Sequence, residues 1–346
     1  VNESVKLVRH ARIASAAGFV NAVLRRAAAD PRHSVGDETA DPIDRMAVQL
    51  SHPRWLLERW IGFLGEAETA QLAAANNSPP RIAFRVNTRR ATADAATSLL
   101  RAKGIVTRPS RSVAGAFVVE HGRISPDSEA VTDGLIYLQD EASQAVSLLL
   151  NPRPDERVLD LCAAPGSKTT HLAILANDQA WIVACDRRPP RLSTLMASCR
   201  RMRITSVDAL AANAAEALPF LDSAMGFDRV LIDAPCTGTG TLRQNPEIKW
   251  RLESRDIARL SELQSSLLQQ GGRLLRKGGR LVYSTCSIEP EEDELVVAKF
   301  LDEHPGFQVV RPAILGDWTT KEGFVRTFPH RDGTDGFFAA VLERAN

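Results

Sequence analysis

The sequence predicts an α/β protein. Its larger part reads as a mostly parallel, doubly wound sheet, preceded by a small α+β module and an N-terminal helical segment. Three observations carry this. After Pro152, short apolar runs alternate with helical stretches, giving strand candidates at 157–161, 181–185, 204–209, 227–232, 280–285 and 337–342. Two of these runs end in cysteine-bearing loops: Val230-Leu231-Ile232 leads into Asp233-Ala234-Pro235-Cys236, and Leu281-Val282-Tyr283 leads into Ser284-Thr285-Cys286-Ser287. A third, Val158-Leu159-Asp160-Leu161, enters a turn of small residues, Cys162-Ala163-Ala164-Pro165-Gly166-Ser167-Lys168, and then a helical stretch. Strand ends followed by loops are where open parallel sheets put their chemistry.

The preceding elements follow in order. Residues 5–29 read as one helix, Ala-rich with apolar Phe19, Val20, Val23 and Leu24, closed by Pro31. From Asp44 to Asn76 the pattern is helical, with Trp55, Leu56, Leu57, Trp60, Ile61 and Leu64 on a stripe, and Asn76-Asn77-Ser78-Pro79-Pro80 breaks it. Ile82–Asn87 reads as a strand, 92–103 as a helix, 116–120 and Asp133–Leu138 as strands, and Gln139–Ser143 opens a helix to about Leu150. The expected domains are 1–33, 34–132 and 133–346.

Composition narrows the class. A chain of 346 residues, 44% hydrophobic and 25% charged, has the make-up of an ordinary soluble protein with at least one large core. No run of about 18 apolar residues exists, so no membrane span is expected. The polar start, Val1–Lys6, has no secretory apolar region, and opening on Val points to residues upstream. Five cysteines without a Cys-x-x-Cys argue against a disulfide framework and against a metal site, and fit a reducing cytoplasm. Net charge is +1, but it is segregated. Residues 81–123 hold nine Lys/Arg against two acids, 187–203 hold six Arg and no acid, and 289–303 hold seven Asp/Glu against one Lys. Two readings stand for the basic stretches: a face suited to phosphates, or merely solvated helices.

The turn at 162–168 suits a ligand approaching a helix N-terminus. Asp186 closes the next strand, where an acid holds ribose hydroxyls. The loop has one glycine, so it lacks a dinucleotide fingerprint, and Ser167 before Lys168 excludes a Walker A loop. A nucleoside ligand without a pyrophosphate fits, and S-adenosylmethionine (SAM) meets that description; the alternative is a purely structural turn.

Together, Asp-Leu-Cys-Ala-Ala-Pro-Gly-x-Lys-Thr, Asp-Ala-Pro-Cys, Ile248-Lys249-Trp250 and Tyr-Ser-Thr-Cys-Ser-Ile-x-Pro-Glu-Glu-Asp resemble the RNA 5-methylcytosine methyltransferases, nearest to the RsmB (Fmu/Sun) branch that modifies bacterial small-subunit ribosomal RNA. His52–Leu56 and Arg85-Val86-Asn87 resemble that branch's middle domain, and Gly18–Arg25 the last helix of its NusB-like RNA-binding domain. The resemblance implies a Rossmann-like SAM-dependent methyltransferase domain acting on 16S ribosomal RNA as a cytoplasmic monomer. It implies that Cys286 is the nucleophile, that Cys236 assists release, and that Asp233 contacts the cytosine edge and the cofactor. Lys168 is the candidate cation that activates the thiol. Cys162, Ala163, Ala164, Pro165, Gly166, Ser167, Lys168, Asp186, Asn213 and Asp233 are the expected cofactor contacts.

A thiolate adding to C6 of cytosine makes C5 nucleophilic, which is why sulfur is needed. A buried strand-end cysteine is the ordinary alternative for either thiol alone, but the pairing of the two loops argues against it. Cys199 and Cys185 are expected in the core. Two departures from the family pattern stand out. Ser167 replaces a glycine, strained if its φ must be positive and otherwise harmless. Asn213 stands nearest the place of an adenine-contacting Asp, counting from Leu218-Pro219-Phe220, with Asp208 inside the preceding strand. Trp250 is read either as core or as lining an RNA entrance with Pro246 and Lys249. Competing functions are the same chemistry on transfer RNA, and a non-catalytic RNA-binding assembly factor.

Overall fold

The computed structural model describes residues 1–29, 41–218 and 226–345, which form two compact units, Val1–Phe63 and Leu64–Asn346. The expected helix stop at Pro31 and the Pro219-Phe220 landmark lie outside the described residues.

In the first unit, the helix expected over 5–29 is two helices, Asn2–His10 and Ala17–Ala29, with a single 3₁₀ turn at Ala14–Ala16 between them. The break falls at Arg12, whose φ of 60° is left-handed and cannot continue a right-handed helix. The helical stretch from 44 to 76 is likewise three helices, Pro42–Gln49, Arg54–Leu64 and Glu66–Asn76, the last of them in the second unit. Asp41 caps the first, its Oδ1 accepting from the backbone N–H of Ile43 at 2.8 Å and Asp44 at 3.0 Å. Gly65, with φ 82°, sets the last two apart.

The second unit holds two sheets. The smaller joins β1 (Ala83–Val86), β2 (Val106–Pro109), β3 (Ala116–His121) and β4 (Ile136–Leu138), all antiparallel, in the order β2-β3-β1-β4. Phe84, Leu100, Ile124 and Ile136 form its core with the helix Ala93–Ala102. β4 lies beyond residue 132 yet belongs to this sheet. It is shorter than the strand expected over 133–138, because Glu129–Thr132 is a helical turn and Gly134, at φ 67°, reverses the chain before pairing begins. A Cβ at Gly134 would meet the Arg201 carbonyl oxygen at 2.3 Å, so that reversal also brings the small sheet close against the larger domain.

The larger sheet contains β5 (Arg157–Asp160), β6 (Trp181–Asp186), β7 (Val207–Ala211), β8 (Phe227–Asp233), β9 (Leu275–Thr285), β10 (Phe307–Val309), β11 (Val325–Thr327) and β12 (Phe337–Arg344). The order is β10-β12-β9-β8-β5-β6-β7, with β11 added beside β12. β5 to β9 are mutually parallel, and β12 enters antiparallel to β9. Parallel strands buried on both faces need unbroken apolar runs, which Val158-Leu159, Val230-Leu231-Ile232 and Leu281-Val282-Tyr283 supply, all with essentially no exposure. β7 starts at Val207 rather than 204, since Ile204 is core residue but not strand. Strand order reverses between β5 and β8, so the crevice at their carboxyl ends is the place to look for a ligand. No helix among the described residues is long and apolar enough to cross a membrane.

Candidate active site at the carboxyl rim of the large sheet

β5 delivers the turn 161–166. The Leu161 N–H donates to the Leu231 carbonyl at 3.0 Å and the Ala163 N–H to the Cys185 carbonyl at 2.9 Å, so the turn is tied to strands on both sides. Gly166 carries the left-handed kink, φ 105°, that opens the helix Ser167–Leu175. Ser167 is therefore an ordinary first-turn helical residue, and the departure from glycine there costs no strain. The first N–H groups of that helix face the rim without intrahelical partners, as helix starts do. Asp160, fully buried, accepts from Thr169 Oγ1 at 2.8 Å. Burial pushes its carboxyl up to about 7, and the nearby charge of Asp233 adds to this.

That shift has a testable sign. The unfolded carboxyl titrates near 3.9, so the folded protein holds the proton more tightly. Its stability is greatest below the unfolded value and declines as pH rises from about 4 to about 7. In the cofactor-free protein, Asp160→Asn is expected to gain about 1 kcal/mol or more relative to the parent between pH 5 and pH 8. Thermal unfolding at the two pH values checks this; equal shifts at both would refute it.

Asp186 ends β6, where its Oδ1 accepts from the Arg188 N–H at 2.8 Å and its Oδ2 lies 3.5 Å from Arg191 Nη1. Arg191 also donates to the Ala164 carbonyl, joining the acid to the turn. Asn213, in the turn after β7, donates from Nδ2 to Glu216 at 2.6 Å, and its Oδ1 accepts from the Ala215 N–H at 3.3 Å. Asp208 lies inside β7, accepting from Trp181 Nε1 at 2.7 Å.

Asp233, the last residue of β8, accepts from Lys168 Nζ at 2.8 Å and from Ser284 Oγ at 3.0 Å. The lysine expected to activate a thiol is thus committed to this carboxylate; its side chain is 6% exposed, and such a buried ammonium needs a counter-charge. Beyond Asp233, the loops following β8 and β9 bring Cys236 and Cys286 together, with 3.2 Å between the sulfurs. The hydrogen bond to Cys286, together with burial, pushes the Cys236 thiol well above its ordinary value. Cys185 and Cys199 are core residues, and burial raises both thiols, to about 12 and about 11. Cys162 stands at the turn, half-buried, its thiol raised by burial.

The two cysteine loops are braced by residues for which the sequence offered no role. Glu292, fully buried, accepts from the Thr237 N–H at 2.9 Å, from Gln264 Nε2 at 2.9 Å, from Ser287 Oγ at 2.5 Å and from the Thr237 hydroxyl. Gln264 also donates to the Pro235 carbonyl at 2.9 Å. Gly240 donates to the Cys286 carbonyl at 3.0 Å and accepts from the Gly336 N–H at 2.8 Å. Arg85, buried on β1, reaches across to the helix that opens the site. It donates to Thr170 Oγ1 at 2.9 Å, to the Ser167 carbonyl at 3.1 Å and to Gln139 Oε1 at 2.9 Å. Asn87 holds the same two domains through the Gly134 and Met202 carbonyls. Lys249 is buried, donating to Asn77 Oδ1 at 3.1 Å, whereas Trp250 is 62% exposed, so the core alternative for Trp250 does not hold.

Comparison with known proteins adds the following. Residues 147–343 match the family described as 16S rRNA methyltransferase RsmB/F, and residues 52–124 match the ferredoxin-like domain of RsmF/B-like methyltransferases. A probable ribosomal RNA small subunit methyltransferase B from Bacillus subtilis (strain 168) is 32% identical, over 99% of this chain and 77% of the relative. The crystal structure of PH0851 superposes with a TM-score of 0.83 at 38% identity, covering 88% of this chain and 68% of that one. A methyltransferase homologue from Pyrococcus horikoshii gives 0.76 at 29% identity, covering 88% and 100%.

Proposed function

Since the chain belongs to the 16S rRNA methyltransferase RsmB/F family, we propose that it methylates C5 of a cytosine in small-subunit ribosomal RNA through a covalent bond between Cys286 and C6. The cofactor of this fold and family is SAM. The residues at the rim fit it: carboxylates at the ends of β6 and β8 suit a ligand bearing a positive charge and hydroxyls, and the helix start at Ser167 offers N–H groups without intrahelical partners. Cys162–Lys168, Asp186, Asn213 and Asp233 are the residues proposed to hold it. Bound there, SAM supplies the methyl group that C5 takes.

The single observation that carries the reading is the sulfur pair beside Asp233 at the switch point of the sheet. The Cys286 thiolate bonds to C6, and the C5–C6 electron pair shifts to C5, which becomes the nucleophile. Asp233, anchored by Lys168 and Ser284, hydrogen-bonds the cytosine edge and favours that addition. After methylation the C5 proton leaves to a base, the C6–sulfur bond breaks, and its electrons restore the sulfur; Cys236 assists this release. The target base must leave its stack to reach the rim. Exposed Trp250, following the Cys236 loop, is placed to line that entry, and the basic stretches at 81–123 and 187–203 to track the phosphates. Residues 1–33 would extend the RNA contact as part of a NusB-like domain.

The test is trapping with RNA containing 5-fluorocytosine, whose C5 substituent cannot leave. A covalent protein–RNA adduct is expected with the parent protein and with Cys236→Ala, and none with Cys286→Ala. An adduct that needs Cys236 and survives loss of Cys286 would reverse the roles. No adduct with any small-subunit RNA would defeat the reading.

A further inference from the structure

We propose that Glu292 is a positioning residue that sets the approach of the two thiols and, through it, the release step assigned to Cys236; this rests on the reaction proposed above. Its carboxyl group sits between the two cysteine loops. Thr237, which gives it an N–H and a hydroxyl, follows Cys236 directly, and Ser287, which gives it a hydroxyl, follows Cys286 directly. Gln264 gives it a fourth hydrogen bond while holding the carbonyl of Pro235, the residue before Cys236. One buried group thus fixes residues on both sides of one sulfur and beside the other.

Four donors, two N–H and two O–H, match the acceptor capacity of an ionised carboxylate. The hydroxyl cluster is itself ordered: Ser287 Oγ accepts from the Glu289 N–H at 3.0 Å, and Thr239 Oγ1, 3.3 Å from Ser287 Oγ, accepts from the Ile288 N–H at 3.1 Å. Tyr283 adds a bond from its hydroxyl to the Glu292 carbonyl at 2.5 Å, so the backbone of Glu292 is anchored to β9 as well. Burial pushes the Glu292 carboxyl up, and the surrounding donors oppose this. The hydrogen bond to Cys286 and burial raise the Cys236 thiol, and the nearby Glu292 charge adds to this. A thiol kept protonated can donate toward the other sulfur, and the 3.2 Å contact, in which either sulfur can be the donor, allows Cys236 that role. A released product requires the sulfur of Cys286 to be accepted back as a leaving group, and a donor held beside it assists that departure.

Glu292→Gln removes the charge while keeping the shape, and Thr237→Val removes one hydroxyl only. Both are to be compared with the parent and with Cys236→Ala. The assay is turnover on small-subunit ribosomal RNA with SAM, with covalent complexes counted on denaturing gels and folding followed by thermal unfolding. Adduct formation in a single turnover is expected to stay near the parent's. Release is expected to slow about tenfold, the rate equivalent of one hydrogen bond to a charged group, so that adduct accumulates as in Cys236→Ala. A merely structural role would lower formation and release together, which overturns the proposal. So does release at the parent rate in folded Glu292→Gln and Thr237→Val while Cys236→Ala accumulates adduct. If Cys236→Ala accumulates none, the release assignment itself fails, and the positioning role goes with it. Should Glu292→Gln not fold, Thr237→Val decides alone.

Discussion

Replacing Gly240 by alanine is expected to cost about 3 kcal/mol or more of stability and to silence methyl transfer, although Gly240 touches neither sulfur. A Cβ there would sit 2.0 Å from the Gly336 carbonyl oxygen and 2.6 Å from its carbon. Both are backbone atoms, and neither can rotate away. The loop after Cys236 and the entry to β12 would have to part, breaking the Gly336-to-Gly240 bond and pulling the Gly240 N–H from the Cys286 carbonyl. Gly238→Ala is the contrast. Gly238 has φ 74°, and its Cβ would meet Ile248 Cδ1 at 3.1 Å and Thr241 Oγ1 at 3.5 Å, both ends of side chains rather than backbone. That change is expected to cost about 1 kcal/mol, the ordinary penalty for a left-handed residue. Chemical denaturation of both variants measures the two losses; equal losses would show that the Gly240–Gly336 contact is not what forbids a side chain.

The second large effect is expected at Arg85. Its guanidinium is buried over the Tyr137 ring, 4.7 Å to the centroid, and its acceptors are all neutral. Burial accordingly pushes its pKa down, to about 9. Arg85→Ala removes a large, fully enclosed side chain and strands Gln139 Oε1. A loss of about 3–5 kcal/mol is expected, the range for truncating a large core residue. Because Ser167 and Thr170 lie in the first turn of the helix that opens the proposed cofactor site, affinity for SAM is expected to fall about tenfold, equivalent to one or two lost hydrogen bonds. Arg85→Lys keeps the charge but not the fork, and is expected to recover less than half of either loss. Calorimetric titration with SAM separates this from simple destabilisation: a folded Arg85→Lys that binds SAM as the parent does would show that the staple serves the fold alone.

The parallel strands of the large sheet were legible because β5, β8 and β9 are buried on both faces and must be written as apolar runs. The short strands β10 and β11 were not. They have three residues each, too short for any period to register. The break at Arg12 was also silent, since a left-handed arginine leaves no glycine or proline to mark it. At the site, each cysteine could be read from the strand that delivers it. The brace between them could not: Gln264 lies inside the 21-residue helix Ser254–Leu274, and Glu292 stands in an acidic run where nothing local sets it apart from its neighbours. Only tertiary placement turned that charge inward. Trp250 went the other way, an indole that the sequence left undecided and the fold leaves outside.

The antiparallel entry of β12 has a consequence for how the protein is made. The paired sulfurs belong to residues 236 and 286, but the glycine that locks their loops together is residue 336, just before a strand that is inserted between β9 and β10. During synthesis every strand of the parallel core leaves the ribosome before that last strand does. The growing chain therefore carries both thiols unbraced from the synthesis of residue 286 until residue 336 has followed, and the paired arrangement forms only after that.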